Sequence, residues 1–334
     1  CAFRIRLSLP KMLMNIDLLI RKTLEFSQIK IIKFFFQFFE LFVFWYYNRW
    51  FKKKQKINSK FFGYFQFFCG AKIASLYRRR KHEILTEKLD LNLEIDKKVN
   101  ELTNKSYVKL FDLNSLEVKN TVEYFYKQKI HTSHVPTDFA FYNKLISVDE
   151  FLNTEDPNYN YGSFDIRTSL NSNVVKKICS MEKIWLIARK YLNSDEVKIY
   201  SINTMLTKKS EIKNYVVNLH VDFDCANMLT FFVYWTDVSE INGATRVLLG
   251  SHLFLHDRRL AGYVSEPLTK YLEGKGGSVF ALDTWALHAG NPNITSPRLV
   301  TWIRFSSMPA PTYYLNRNYL FKKNLDEINN AKKL

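Results

Sequence analysis

The sequence predicts a mainly β protein with flanking helices, built on an antiparallel sandwich or jelly roll and preceded by a helical, basic-aromatic segment. Three observations predict it. From about residue 197 onward short β-rich runs recur: Val197 to Ile202, Tyr215 to Val221, Met228 to Trp235, Thr245 to Leu249, Gly277 to Leu282 and Leu299 to Phe305. Turn-forming clusters separate them, among them Asn242-Gly243, Gly250-Ser251, Gly274 to Gly277 and Asn291-Pro292-Asn293. Such spacing belongs to hairpins and meanders rather than to helical crossovers. Strands and helices do not alternate in this half, and neither a P-loop nor a G-x-G-x-x-G fingerprint occurs, which removes the doubly wound nucleotide-binding folds.

The chain has 334 residues, with 49 Lys and Arg against 32 Asp and Glu and a formal net charge of +17. Residues 1–81 hold 18 of those bases against only Asp17, Glu25 and Glu40, together with 15 of the 28 Phe. Residues 82–334 hold the other 31 bases and 29 acids and are close to neutral. The chain therefore divides into a basic aromatic segment, 1–81, and a body, 82–334, whose β core spans about 197–310. A body of this size buries a full hydrophobic core. A nucleic-acid-binding domain spreads its charge over the folded surface, and no RNP-type or zinc-knuckle pattern is present, so nucleic acid is not an expected partner. Cys1, Cys69, Cys179 and Cys225 are scattered with no C-x-x-C, which fits a reducing, cytoplasmic setting. The chain begins with Cys1 rather than Met, as a fragment of a longer protein would.

Within the first segment, Phe34 to Tyr47 is the most apolar stretch, and it contains Gln37 and Glu40. A spanning helix needs roughly 20 apolar residues, and Lys33 and Arg49 close this run on either side. On a helix, Lys30, Lys33, Gln37, Glu40 and Asn48 fall in one narrow sector, shared with Phe44, opposite a broad apolar face. That pattern suits a helix lying in a membrane interface, with Trp45, Tyr46, Tyr47 and Trp50 near the headgroups. Basic flanks add attraction to anionic lipid. A second aromatic run, Phe61 to Phe68, ends in Arg78-Arg79-Arg80-Lys81. Packing of these helices against the body or a second subunit is the other reading.

In the body, residues 82–130 read as helical, with an Asn114-Ser115 start signal inside Leu110 to Lys129. Asp156-Pro157-Asn158 and Tyr161-Gly162-Ser163 read as loops. Val174 to Leu192 reads as one further helix.

Chemistry concentrates at strand ends. His220-Val221-Asp222 follows an alternating run, so residues 220 and 222 share a face. His288 lies just past the Gly277 to Leu282 strand, and Arg298 comes ten residues later, where the last strand starts. Two imidazoles and a carboxylate on one face of an octahedron leave three positions open, the arrangement of non-haem Fe(II) oxygenases. A bidentate 2-oxo acid and then O2 fill such positions, and a buried Arg pairs with the far carboxylate. A lone H-x-D carries little information; the ordered set of four, each at a strand boundary, carries much more. The plainer alternative makes His288 a hydrogen-bonded core residue and Asp222 a turn former.

From His220 to Phe305 the chain resembles the phytanoyl-CoA dioxygenase family of Fe(II)/2-oxoglutarate-dependent oxygenases. Trp235 to His252, with Asn242-Gly243 and Gly250-Ser251-His252, is similar to the family's N-G-x-x-x-V-x-P-G-S-H segment, with Leu249 at the usual Pro. Gly277 to Asp283 followed by His288, and Asn291 to Arg298, also match. Ser106 to Ser115 resembles the start of the family domain more faintly, so the resemblance spans about residues 100–310. It implies a double-stranded β-helix, the cupin-like variant of the jelly roll, with His220, Asp222 and His288 as Fe(II) ligands. Arg298 would bind the 2-oxoglutarate C5 carboxylate. It further implies oxidative decarboxylation of 2-oxoglutarate with O2 to succinate and CO2, coupled to hydroxylation of a substrate C–H bond. Related halogenases replace the carboxylate ligand by a small residue, so Asp222 favours hydroxylation. Val221 stands where many relatives carry a polar residue, which leaves the C1-carboxylate contact unassigned.

Other residues compete. Asp224 is a rival to Asp222. His252 and His256 have i, i+4 spacing, yet His252 sits in a Gly-Ser-His turn. His131 and His134 fall before Pro136 and read as loop or substrate-facing, while Tyr200, Thr230 and Phe232 read as pocket wall or core. The expected function is hydroxylation of a small-molecule or lipid-like substrate by an enzyme peripheral to a membrane through residues 1–81. The alternatives are a non-catalytic membrane-associated jelly-roll scaffold and a cupin-type metalloenzyme that does not use 2-oxoglutarate.

Overall fold

A computed structural model describes residues 81–307, apart from 86, 88, 91, 134–143, 157–159, 210–218, 223–226, 254–268 and 292–294. The expectations for residues 1–80, including the interfacial helix, lie outside the described residues, as do Asp224, His134 and His256. Lys81, the last residue of the Arg78–Lys81 run, is buried in the body. Its ammonium donates to Asn227 Oδ1 at 3.1 Å and stands 4.0 Å above the Tyr191 ring.

The elements follow in chain order. Helix α1 is Glu94–Lys105 and ends at Ser106, whose left-handed backbone (φ 73°) returns its N–H to Leu102 O. Strand β1, Tyr107–Asp112, alternates buried and exposed positions. Helix α2, Ser115–Tyr126, starts where expected: the Asn114 side chain accepts from Glu117 N–H, satisfying an orphan donor of the first turn. Strands β2, Lys129–Ser133, and β3, Leu145–Ser147, precede helix α3, Val148–Asn153, which is capped by Ser147. Strand β4, Tyr161–Phe164, leads to helices α4, Ile166–Asn171, and α5, Asn173–Cys179. Helix α6, Glu182–Leu192, ends at left-handed Asn193. The remaining strands are β5, Lys198–Thr207; β6, Met228–Tyr234; β7, Thr245–Leu248; β8, Thr269–Leu272; β9, Ser278–Leu282; β10, His288–Gly290; and β11, Arg298–Ser306.

Among the described residues, eight strands form one antiparallel sheet in the order β1-β9-β6-β11-β5-β4-β2-β3, and three form a second in the order β10-β7-β8. Period-2 geometry gives each strand of the large sheet two faces. The outer face (Leu229, Phe231, Val233, Val279, Ala281, Ile303 and Phe305) packs under helices α1, α2, α5 and α6 in one apolar core. Trp185 of α6 meets Phe305 edge-on at 5.0 Å, and Phe231 meets it at 5.2 Å. The inner face (Met205, Phe232, Tyr234, Phe280 and Val300) packs against Val247 and Leu272 of the small sheet. The jelly roll expected from the strand spacing is the architecture observed, with helices covering one side.

Three expectations are corrected. Residues 82–130 are not uniformly helical, because β1 and the start of β2 lie inside them. Tyr161-Gly162-Ser163 is strand β4, not a loop. A Cβ at Gly162 would stand 2.2 Å from Ile130 Cδ1, so this glycine marks a close approach of β2 and β4 rather than a turn. Val174 to Leu192 is two helices, broken at Ser180-Met181. The large sheet accordingly recruits β1 to β4 from upstream of residue 197.

Candidate metal centre

His220, Asp222 and His288 converge between the two sheets. Nε2 of His220 lies 4.0 Å from Asp222 Oδ1, and Nε2 of His288 lies 3.8 Å from Asp222 Oδ2. One ligand atom from each falls within 4.8 Å of the others, so the three residues together could hold a metal ion. The backbone sets this convergence. His220 and His288 form an isolated antiparallel bridge, exchanging two N–H···O bonds of 2.9 Å. Their rings are 4.5 Å apart. Asp222 N–H donates to Thr284 O at 2.9 Å, which turns the carboxylate toward the same point.

The turn that delivers Thr284 and His288 is itself held from behind. Asp283 is fully buried; its N–H donates to Ser106 O, its Oδ1 accepts from Trp285 N–H, and its Oδ2 accepts from the Tyr191 hydroxyl. Leu287 N–H donates to Ser251 Oγ at 2.8 Å. The Gly250-Ser251-His252 turn is thus a buttress, and His252 bonds Thr103 O of helix α1 through Nε2 at 3.0 Å. That places His252 among structural residues.

Electrostatics fit a cation site. Burial drives the His288 imidazole down to about 4, against the pull of Asp222, so at neutral pH it carries no charge. Its Nδ1 lies 2.9 Å from Ala286 O. A neutral imidazole that donates from Nδ1 keeps the Nε2 lone pair for a metal. Burial works against ionisation of Asp222, yet His288, Arg304, His220 and a hydrogen bond with Thr284 together hold its carboxyl below the usual range. The carboxylate therefore stays anionic.

Arg298 occupies the start of β11 and is buried. Its Nη1 donates to the Gly243 carbonyl. Its Nε is buried with no hydrogen-bond partner among the described residues. Burial lowers its basicity, against the opposing influence of Tyr234 and Tyr161, but a guanidinium keeps its proton at physiological pH. An unpaired buried donor on a cation is expensive, and a carboxylate would satisfy it.

Two inward residues were missed in the sequence. Arg304 Nη2 stands 3.6 Å from Asp222 Oδ2, and Trp302 lies beside it, with the Arg304 guanidinium 5.6 Å from the indole centre. The signal was present: Arg298, Val300, Trp302 and Arg304 alternate along one strand, so they share a face. Of the weighed wall residues, Phe232 does line this face, 5.8 Å from the Trp302 ring. Thr230 Oγ1 is 3.5 Å from Thr284 Oγ1, whereas Tyr200 is buried with its hydroxyl on Met228 Sδ. His131 pairs opposite Ser163 at the far side of the sheet, where burial lowers its basicity.

No family model matches the chain, and no curated protein matches it. Solved structures do resemble it. The non-heme alpha ketoglutarate dependent epimerase SnoN from nogalamycin biosynthesis superposes with a TM-score of 0.47 at 15% identity, over 64% of this chain and 82% of that one. EctD from S. alaskensis, solved with 2-oxoglutarate and 5-hydroxyectoine, gives 0.45 at 19%, over 63% and 75%. HygX from Streptomyces hygroscopicus, solved with nickel, 2-oxoglutarate and hygromycin B, gives 0.44 at 13%, over 63% and 86%. Similarity at this level leaves the functional argument to the residues of this chain.

Proposed function

We propose that the protein is an Fe(II)- and 2-oxoglutarate-dependent oxygenase of the phytanoyl-CoA dioxygenase type. It would hydroxylate a C–H bond of a small-molecule or lipid-like substrate, with succinate and CO2 as co-products. The observation that carries this reading is the pairing of a His-Asp-His donor cluster with a buried arginine whose Nε has no partner among the described residues. His220, Asp222 and His288 would hold Fe(II), and Arg298 would take the far carboxylate of 2-oxoglutarate. When bound, the iron supplies the O2-dependent chemistry that decarboxylates the oxo acid and oxidises the substrate.

The protein's part is positional. Ala286 O fixes the His288 tautomer, and Thr284 and Arg304 fix the Asp222 carboxylate. Fixed ligands hold a metal in one geometry rather than several. Phe232, Met205 and Leu282 make the adjoining wall apolar and dry, which strengthens every charge interaction in the site. Incubation with Fe(II), ascorbate and 2-oxoglutarate is expected to release succinate even without a main substrate, and His220→Ala or Asp222→Asn abolishes it. Succinate formation that survives both substitutions contradicts the assignment.

The charge and aromatic pattern of residues 1–81 supports attachment to a membrane surface, and the scattered cysteines support a reducing, cytoplasmic setting. Among the described residues no helix is long and apolar enough to cross a membrane. Co-sedimentation with anionic vesicles is expected for the full chain and lost when residues before Arg78 are removed; equal binding by both refutes surface attachment.

A further inference from the structure

The inner face of β11 carries a second orphan donor. Trp302 Nε1 is buried and has no hydrogen-bond partner among the described residues. Two tryptophans buried behind the sheet differ. On the outer side, Trp235 Nε1 donates to Thr301 Oγ1 at 2.7 Å, and Trp185 Nε1 donates to Cys179 O at 2.7 Å. Buried indole N–H groups are ordinarily paired, so the exception on the inner face calls for an acceptor that a ligand would bring.

Its position narrows the acceptor. Trp302 lies opposite Phe232 on β6 and Asn203 on β5. Its ring abuts the Arg304 guanidinium, which in turn reaches the metal-site carboxylate of Asp222. It therefore belongs to the metal end of the strand. Arg298 belongs to the other end, four residues away, about 13 Å along an extended strand, with its guanidinium directed at Gly243. One carboxylate cannot serve both donors. A five-carbon oxo diacid has two, and the cationic Arg304 beside the indole favours an anionic acceptor.

We propose that Trp302 donates its indole N–H to the carboxylate that sits at the metal end of the site, beside Arg304, while Arg298 takes the far carboxylate. The proposal rests on the oxygenase reading and deepens it, since it supplies the C1-carboxylate contact that the H-x-D motif leaves open at Val221. The same donor chemistry would suit a carboxylate of the main substrate, and the test separates the two sources.

The test uses the full chain loaded with redox-inert Zn(II) and labelled with 15N in the tryptophan indoles, observed by NMR. The Trp302 resonance is assigned by its loss in Trp302→Phe, which keeps an aromatic ring at the site. Addition of 2-oxoglutarate, or of pyruvate (which has the oxo-acid end alone), is expected to move the Trp302 indole proton downfield and leave Trp185 and Trp235 in place. Trp302→Phe is expected to weaken 2-oxoglutarate binding by about tenfold or more, the loss of a hydrogen bond to a charged group, with Zn(II) binding unchanged. If 2-oxoglutarate binds the wild-type protein but neither the Trp302 resonance nor the Trp302→Phe affinity responds, Trp302 is not its donor, and the carboxylate of a main substrate is the remaining source. If 2-oxoglutarate fails to bind the metal-loaded wild type at all, the oxygenase reading falls and takes this assignment with it.

Discussion

The two faces of the large sheet obey different rules, and β11 belongs to both. Outward, Leu299, Ile303 and Phe305 are fully buried in apolar surroundings, and the one polar position is saturated: Thr301 Oγ1 accepts from Trp235 and shares a 2.8 Å bond with Thr204. Inward, the alternate positions carry Arg298, Trp302 and Arg304, and buried donors on Arg298 and Trp302 have no partner among the described residues. Along β11, among the described residues, Thr301 behind the sheet is satisfied while Arg298 and Trp302 in front each keep a buried donor without a partner, the pattern expected of a face that receives a ligand. Stability should therefore reside outside and binding inside, and substitutions on one strand can separate them.

The largest effect is expected behind the sheet. Phe305→Ala removes the ring that both Trp185 and Phe231 pack against and should cost about 3–5 kcal/mol of stability, read as a lower midpoint in urea. A midpoint equal to wild type would break the comparison. In front, Arg298→Gln should weaken 2-oxoglutarate binding to the metal-loaded protein by about 2–5 kcal/mol, measured by titration calorimetry, while the urea midpoint of the metal-free protein stays level or rises. A midpoint that falls as far as that of Phe305→Ala would make Arg298 a structural residue.

Acid sharpens the contrast further. His288 has a folded value of about 4 against an ordinary 6.5, so the unfolded chain takes up a proton that the folded site refuses. Its contribution to stability is intact above pH 6.5 and is lost progressively as pH falls toward 4. Asp222, held below its usual value, adds a loss of the same sign only at still lower pH. Thermal melts of the metal-free protein from pH 7.5 to 4 should therefore decline more steeply for wild type than for His288→Gln; parallel curves would contradict a buried neutral imidazole. The smallest effect is expected at Lys81→Met, which leaves Asn227 short of one partner and should cost about 1 kcal/mol with no change in metal affinity.

Strands β5, β6, β7, β9 and β11 were legible as β-rich runs set off by turn-forming clusters, whereas β1 was not, because it runs on from helix α1 through Ser106 alone. Strands β3, β8 and β10 are three or four residues long and carry too little of a period of two to stand out. Strand β4 was hidden by Gly162, whose role is to admit Ile130 rather than to turn the chain. The convergence of His220, Asp222 and His288 was legible because H-x-D followed by His is a spacing, and spacing survives in one dimension. Thr284, Ala286 and Arg304 act through contacts that the fold alone creates. Arg304 in particular stood in plain view on an apolar strand, where an inward arginine always needs a partner.

The central claim is that the inner face holds Fe(II) and a 2-oxo acid together. Anaerobic addition of Fe(II) and 2-oxoglutarate, followed in the visible spectrum, tests it most directly. A weak charge-transfer band that requires both components, and that vanishes in His220→Ala, is the result expected. Absence of the band in the intact wild-type protein, or its persistence in His220→Ala, would contradict the account.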